Sequence, residues 1–390
     1  MDFGLPEELK MIQSLVKDFV TDQLKPLERE LLGRAAGLAD ARRSLPPEVD
    51  EKLMGMAMEL GLWGLSVPEE LGGVGLGTLG CCLAEEELAQ TIVPFTFGDV
   101  SPMLFECNEG QKEKYFLPLF NRQKESYIAL MEPGEPASYA DMQTRAERAN
   151  GTYIINGRKL SFSVPARDEY FALVYARTPG AAGDGVTCFL VDGGTPGFSV
   201  GQGVAETGWR AQVNAPTALM FDDCAVPAEA VLGGEGRAFH LGRKWLPSRR
   251  IVRGARSVGV AQRLLEEAST QAQSWQSFGQ FVSRRLDIES ALADVAADIH
   301  ACRLVVHEAA CKADEGKLTR RGAAVVKVFA SEMLGRVADR VAHVFNGPSY
   351  QEGLPMEKLC RHVLASRSLG LAMELQRSII ARDILKGLKV

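Results

Sequence analysis

With 390 residues, the chain has length for two or three domains of ordinary size and a large core. Its 46% apolar and 24% charged residues are those of a globular protein and exclude general disorder. A formal net charge of −6 gives no basic excess for nucleic acid, and no apolar run reaches the ~20 residues of a membrane span.

The start, Met1 to Glu8, has neither a basic n-region nor an apolar h-region, which argues against a secretory signal. The eight cysteines form no Cys-x-x-Cys pair and read as reduced thiols of a cytoplasmic protein. Leu9, Ile12, Leu15, Val16, Phe19 and Val20 follow the spacing of one helix face. Leu53, Met56 and Leu60 suggest a second helix ending near Gly61, and Leu83 to Gln90 a third. From about residue 126 short apolar runs alternate with turns: Tyr127 to Met131, Tyr153 to Ile155, Tyr170 to Tyr175, Thr187 to Val191 and Ala218 to Phe221. Asn156-Gly157 is a strong hairpin signal and is expected to be a turn. Beyond residue 236 the helical period returns over Ile251–Gln273, Leu286–Gly316, Gly322–Phe345 and Leu369–Leu388. The expected fold class is α+β: an N-terminal helical domain over 1–125, a middle antiparallel β domain over 126–230 and a C-terminal four-helix bundle over 231–390.

Few motifs carry chemistry by themselves. Gly72 to Gly77 has the glycine density of a dinucleotide phosphate loop, but such a loop follows a strand in a β-α-β unit. Here a helix precedes it, so an inter-helix loop is expected. His240, His300, His307, His343 and His362 have no metal-ligand spacing, and no metal site is expected. No Gly-x-Ser-x-Gly elbow supports hydrolase chemistry. Arg249, Arg253 and Arg256 share a helix face while Arg250 points elsewhere. Such a cluster suits a phosphorylated ligand such as a coenzyme A ester. A solvated basic face is the plainer reading for Arg253 and Arg256.

Several segments in order resemble one family: Gly64 to Gly73; Glu132-Pro133-Gly134 with Ser138 and Asp141; Thr144 to Lys159; Phe221 to Pro227; Val231 to Gly236; Arg250 with Ala255, Gly259, Ala261 and Gln262; Phe278-Gly279; Phe345-Asn346-Gly347; Pro355 to Leu359; and Glu374 to Arg377. Together they resemble the acyl-CoA dehydrogenases over almost the whole chain. The resemblance implies FAD, an acyl-CoA substrate oxidised at its Cα–Cβ bond, and an oligomer, usually a tetramer. It implies FAD contacts at Leu130, Met131, Phe162, Ser163 and Gly347, and substrate contacts at Arg250 and Ser138.

The chain departs from the family where a carboxylate should remove the α proton. Gly370 and Arg249 occupy the two base positions that the family uses, and Glu374, one turn from Gly370, is the weak substitute. Met131, Ser161-Phe162-Ser163, Trp275, Leu286 and Ala372 replace residues that meet the flavin in the family. Some family members form α2β2 assemblies in which one chain lacks the base and the substrate is a steroid side-chain thioester. The resemblance therefore implies a heterotetramer with a related chain, beside the alternatives of a self-sufficient flavoenzyme of different chemistry and a non-catalytic binding protein.

Overall fold

Apolar residues three and four apart build the first unit of the computed structural model, which describes residues 4–34, 45–134, 141–161, 168–181, 183, 185–203, 217–345, 355–368 and 373–387. Helix α1 (Glu7–Phe19) buries Val16 and Phe19, and a π-turn carries Val20 and Leu24 into the same core before α2 (Glu28–Arg34). Pro47, with its φ already near the helical value, opens α3 (Pro47–Glu59). After a glycine-rich loop, α4 (Thr78–Leu88) has little amphipathic character because it is enclosed on most sides. Ala84 and Leu88 face the N-terminal core; Cys82 and, just past the helix, Ala89 and Ile92 face the core of the C-terminal helices. Two short helices, α5 (Glu109–Gln111) and α6 (Leu117–Phe120), lead into the sheet.

The sheet comprises β1 (Glu125–Ala129), β2 (Arg145–Ala149), β3 (Thr152–Ser161), β4 (Tyr170–Arg177), β5 (Val186–Asp192), β6 (Phe198–Gly203), β7 (Thr217–Pro227) and β8 (Val231–Leu232). Its order is β6-β7-β3-β2-β4-β5-β8, with β1 beside β4. The pairings are antiparallel except β1–β4 and a single β2–β4 pair, which are parallel. Strand β4 shows why this layer sits where it does. Phe171, Leu173 and Tyr175 point into the N-terminal helical core, whereas Ala172, Val174 and Ala176 point into the sheet's own core. A strand buried on both faces needs the near-continuous apolar run seen here.

The expected turn at Asn156-Gly157 is not one. β3 runs through it, with a register shift against β7 between Ile155 and Gly157. The hairpin closes instead at Asn150-Gly151, whose φ values of 51° and 85° are both positive, as a type I′ turn requires. Surroundings separate the two dipeptides. A Cβ on Gly151 would meet nothing within 4 Å, but one on Gly157 would lie 2.6 Å from the Thr144 Cα. Asn156 is also held in the sheet by two hydrogen bonds with Asp223, at 3.0 and 2.8 Å.

The C-terminal unit holds α7 (Leu246–Ser274), α8 (Leu286–Asp314), α9 (Arg320–Phe345), α10 (Pro355–Ser368) and α11 (Met373–Leu385). The four helices read from periodicity are α7, α8, α9 and α11; α10 is an addition, built on the Pro355 to Leu359 motif. Helix α7 is central, and its small residues permit that. A Cβ on Gly259 would lie 2.0 Å from the Glu86 carbonyl oxygen, and one on Gly254 would lie 2.5 Å from Val326. Between α7 and α8 the hairpin of β9 (Gln276–Ser277) and β10 (Gln280–Phe281) turns at Phe278-Gly279 and projects Phe278 fully into solvent.

One buried ion pair locks α7 to the N-terminal unit. Arg263 donates to Glu28 at 2.9 and 3.2 Å and to the Gln90 carbonyl at 2.7 Å. Glu28 also accepts from Thr91 at 2.8 Å and from the Ile92 N–H at 3.0 Å. Removing Arg263 leaves the buried Glu28 carboxylate without its counter-ion. Arg263→Met is therefore expected to cost about 3–5 kcal/mol, read as a lowered Tm in a thermal melt. The double variant Glu28→Gln/Arg263→Met should recover part of the loss. A single-variant melt that superimposes on the parent would contradict this role.

Candidate active site

Two constructions meet the sequence expectations. The first is the edge that follows β1. Met131 bridges to Leu160, whose N–H donates to the Met131 carbonyl at 2.8 Å. The edge is anchored from behind by Glu132. Its carboxylate accepts from the N–H groups of Gln143 and Thr144 at 2.7 and 2.8 Å and from the Lys159 ammonium at 2.9 Å. Lys159 also donates to the Leu130 carbonyl at 3.2 Å, and its side chain is wholly buried. Burial alone would raise the Glu132 carboxyl. The hydrogen bonds from Gln143, Thr144 and Lys159 outweigh it and hold the pKa down at about 2. The result is a rigid 130–132 edge with the Met131 side chain on the outside, 41% exposed.

The second construction is a cavity of about 420 Å³ between the N-terminal unit and the start of α7. Trp245, Ser248, Arg249 and Val252 line it from one face of that helix. Arg249 does not reach into open space. Its guanidinium donates to the Asp99 carboxylate and to the Val100 carbonyl. The position expected for the second base thus holds a cation fixed by a neighbouring anion. Cys81 also lines the cavity, but burial pushes its thiol up to about 12, so it stays protonated and is a poor nucleophile.

The glycine-rich loop borders the same cavity and leads into α4. The carboxylate of Asp314 caps the start of that helix, accepting from the N–H groups of Thr78 and Leu79 at 2.5 and 3.0 Å. An internal anion therefore occupies the position that a bound phosphate would take, and a 3₁₀ turn rather than a strand precedes the loop. The inter-helix reading holds for this segment.

The remaining site residues lie apart. Arg250, one position along α7, is half-buried, and burial, with Arg320 and Arg253 nearby, pulls its pKa below the usual arginine range. Glu374 is exposed on α11. Ser138, Phe162, Ser163, Gly347 and Gly370 lie outside the described residues. The solvated reading fails for Arg256, which pairs with the Glu85 carboxylate across the domain interface. Sequence reasoning missed Asp99, Asp314 and the Glu132–Lys159 pair. Lys159 had one available signal: it falls on the same alternate, inward-facing positions of β3 as Tyr153, Ile155 and Ser161.

Models of the N-terminal, middle and C-terminal domains of acyl-CoA dehydrogenases match residues 6–123, 128–224 and 234–385. The chain belongs to the acyl-CoA dehydrogenase family. Like the family it is an oxidoreductase acting on CH–CH bonds. It is 33% identical to (R)-benzylsuccinyl-CoA dehydrogenase of Thauera aromatica, with 99% of this chain and 97% of the relative covered. Among solved structures it resembles butyryl-CoA dehydrogenase from Megasphaera elsdenii, at 29% identity and a TM-score of 0.83, covering 99% and 100% of the two chains. The FAD complex of PigA is 25% identical, with a TM-score of 0.83 and both chains covered in full.

The Glu132 anchor gives this acyl-CoA dehydrogenase a defined acid response. A carboxyl whose folded pKa is depressed adds stability that is complete above its ordinary value of 4.5 and is lost as pH falls toward about 2. In Glu132→Gln that dependence is absent. The Tm gap between parent and variant should close as pH drops from about 5 to about 2. A gap that stays constant over that range would contradict the anchor.

Proposed function

We propose that this chain is one subunit of a flavin-dependent acyl-CoA dehydrogenase, and that the base removing the α proton comes from a related partner chain. The observation that carries the proposal is the Arg249–Asp99 pair. Proton abstraction α to a thioester needs an acceptor within hydrogen-bond reach. An arginine bonded to a carboxylate and a carbonyl cannot be one. Gly370 has no side chain to act at the other base position, and Glu374 faces solvent on α11.

The family and the FAD complex of PigA support FAD as the cofactor. When bound, FAD supplies the acceptor for the β hydride. The chain's ring-side residues suit it. The Leu130–Met131 edge, made rigid by Glu132 and Lys159, would hold one side of the ring, with Phe162, Ser163 and Gly347 as its further proposed contacts. The diphosphate end fits less well. Trp275 is half-buried and Leu286 is 76% exposed, and neither offers a charge to a phosphate. A partner chain is the natural source of the missing contacts. The apolar surface of Phe278, Phe281 and Leu286 around the β9–β10 hairpin supports an oligomeric interface there, in a homo-oligomer or an α2β2 heterotetramer.

Arg250 and Ser138 are proposed to meet the acyl-CoA. The steroid side chain expected from the α2β2 resemblance gains no support from the cavity. Its lining mixes the charges of Glu69, Arg249 and Asp314 with the apolar Leu76, Phe105, Trp245 and Val252 and does not single out a sterol. The Thauera aromatica relative is named for a succinyl thioester, an acyl group with a second carboxylate. No helix of the described residues is long and apolar enough to cross a membrane, and a cytoplasmic location is part of the proposal.

Expression alone and with a co-encoded relative tests the reading. The chain alone should retain little flavin and should not turn over an acyl-CoA with an artificial electron acceptor. Co-purified with its partner it should be yellow and active. Gly370→Glu should add activity to the flavin-loaded chain. A yellow, active homo-oligomer of the unaltered chain would overturn the shared-site proposal, and a colourless protein under every condition would favour a binding role instead.

A further inference from the structure

Of the chain's three Asn-Gly dipeptides, the one at 346–347 lies outside the described residues, and the other two share the β2–β3 hairpin. Asn150-Gly151 is its two-residue loop, set between the paired Ala149 and Thr152. Both loop residues are exposed, both have positive φ, and a Cβ on Gly151 would meet nothing within 4 Å. The strand leading into the loop is open as well, since Glu147, Arg148 and Ala149 are exposed. Beside the last pair, the Thr152 hydroxyl donates to the Ala149 carbonyl at 2.7 Å. A hairpin end with so few contacts opens locally at little cost. Asn156-Gly157 lies within β3 instead. The Asn156 amide nitrogen donates to the Asp223 carboxylate at 3.0 Å, and its amide oxygen accepts from the Asp223 N–H at 2.8 Å. Gly157 pairs with Phe221 of β7 and packs against Thr144.

We propose that Asn150 is a site of non-enzymatic modification, at which the side-chain amide is lost and isoaspartate or aspartate takes its place, and that the sheet protects Asn156 from the same reaction. The Gly151 nitrogen forms a bond to the Asn150 Cγ and gives up its proton as the Cγ–Nδ2 bond breaks. Ammonia leaves, and a five-membered cyclic imide remains. Water then opens the imide at either carbonyl. One opening gives aspartate; the other gives isoaspartate, in which the main chain runs through the side-chain carbon. The only co-reactant is water. The attack requires the Gly151 nitrogen to reach Cγ, and glycine's conformational freedom in an unpacked loop allows that approach. At Asn156 the same step would break both bonds to Asp223 and lift Gly157 out of its pairing with β7. The modification bears on the Glu132 anchor. β2 follows Thr144 and β3 carries Lys159, and both residues donate to the Glu132 carboxylate. Isoaspartate adds a carbon to the main chain of a loop that closes with two residues, and the register of β2 on β3 then breaks. Aspartate adds none, and Asp-Gly suits the same type I′ turn.

The test is peptide mapping by mass spectrometry of the full chain, kept in mildly alkaline buffer at physiological temperature, with isoaspartate and aspartate separated by chromatography. In the folded chain Asn150 should convert roughly ten- to hundredfold faster than Asn156, a margin set by the two hydrogen bonds that must break at Asn156. In denaturant both dipeptides lose their surroundings, and the two rates should converge. An unmodified Asn150, equal rates in the folded chain, or a difference that persists in denaturant would overturn the inference. Thermal melts read the consequence. The chain rich in isoaspartate should melt below the fresh chain, whereas Asn150→Asp should melt with it and Asn150→Gln should keep its Tm on storage. An isoaspartate-rich chain that melts with the fresh one would overturn the link to the hairpin register.

Discussion

The structure depends on a row of arginines along α7 that meets carboxylates of the N-terminal unit. Arg249, Arg256 and Arg263 are seven residues apart, and they pair with Asp99, Glu85 and Glu28. Seven residues make nearly two helical turns, so the row stays on one side of the helix. Each pair joins segments that are far apart in the chain. Their burial is graded: the Arg263–Glu28 side chains are 8% exposed, whereas Asp99 is 51% exposed. The inner end acts as a structural lock and the outer end borders the cavity. The same kind of interaction that docks the domains therefore fixes a cation, Arg249, beside the cavity.

The middle domain works by a different device. The edge that follows β1 is too short to be held by strand pairing, since β1 ends at Ala129 and Met131 makes only a single bridge. The Glu132–Lys159 pair replaces the missing ladder. Such a pair costs desolvation, and it is tolerable because two backbone N–H groups share the carboxylate and a carbonyl shares the ammonium. The edge can then be rigid while the Met131 side chain stays open. On the proposed reading, rigid positioning is kept in this chain while the proton acceptor is supplied from elsewhere. That combination suits a subunit that still shapes a shared site.

Much of this was legible in the sequence because hydrophobic period reports burial directly. The helices α1, α7 and α9 carry their period plainly, the strands β4 and β5 stand out as short continuous apolar runs, and ordered motifs pointed to the family. What period cannot report is partner identity. Arg256 looks like any exposed arginine until Glu85 is brought across from α4, 171 residues away. Asp99 had no local signal at all. The Asn-Gly dipeptides at 150–151 and 156–157 are identical in sequence and differ in what surrounds them: open space at Gly151 and the Thr144 backbone at Gly157. Gly370 and Arg249 were read from the sequence as departures at the expected base positions, but the partners that hold Arg249, Asp99 and the Val100 carbonyl, needed the structure.

The central claim is that this chain has no group able to remove the α proton of an acyl thioester. Proton exchange at Cα measures that step directly, without the rest of the catalytic cycle. The chain, free of any partner and supplied with excess FAD, is incubated with an acyl-CoA in deuterated buffer, and label at Cα is followed by NMR. The account predicts no incorporation above the uncatalysed background, and incorporation once the partner chain is added. Enzyme-dependent exchange by the chain alone would contradict it and would show that an acceptor is present after all.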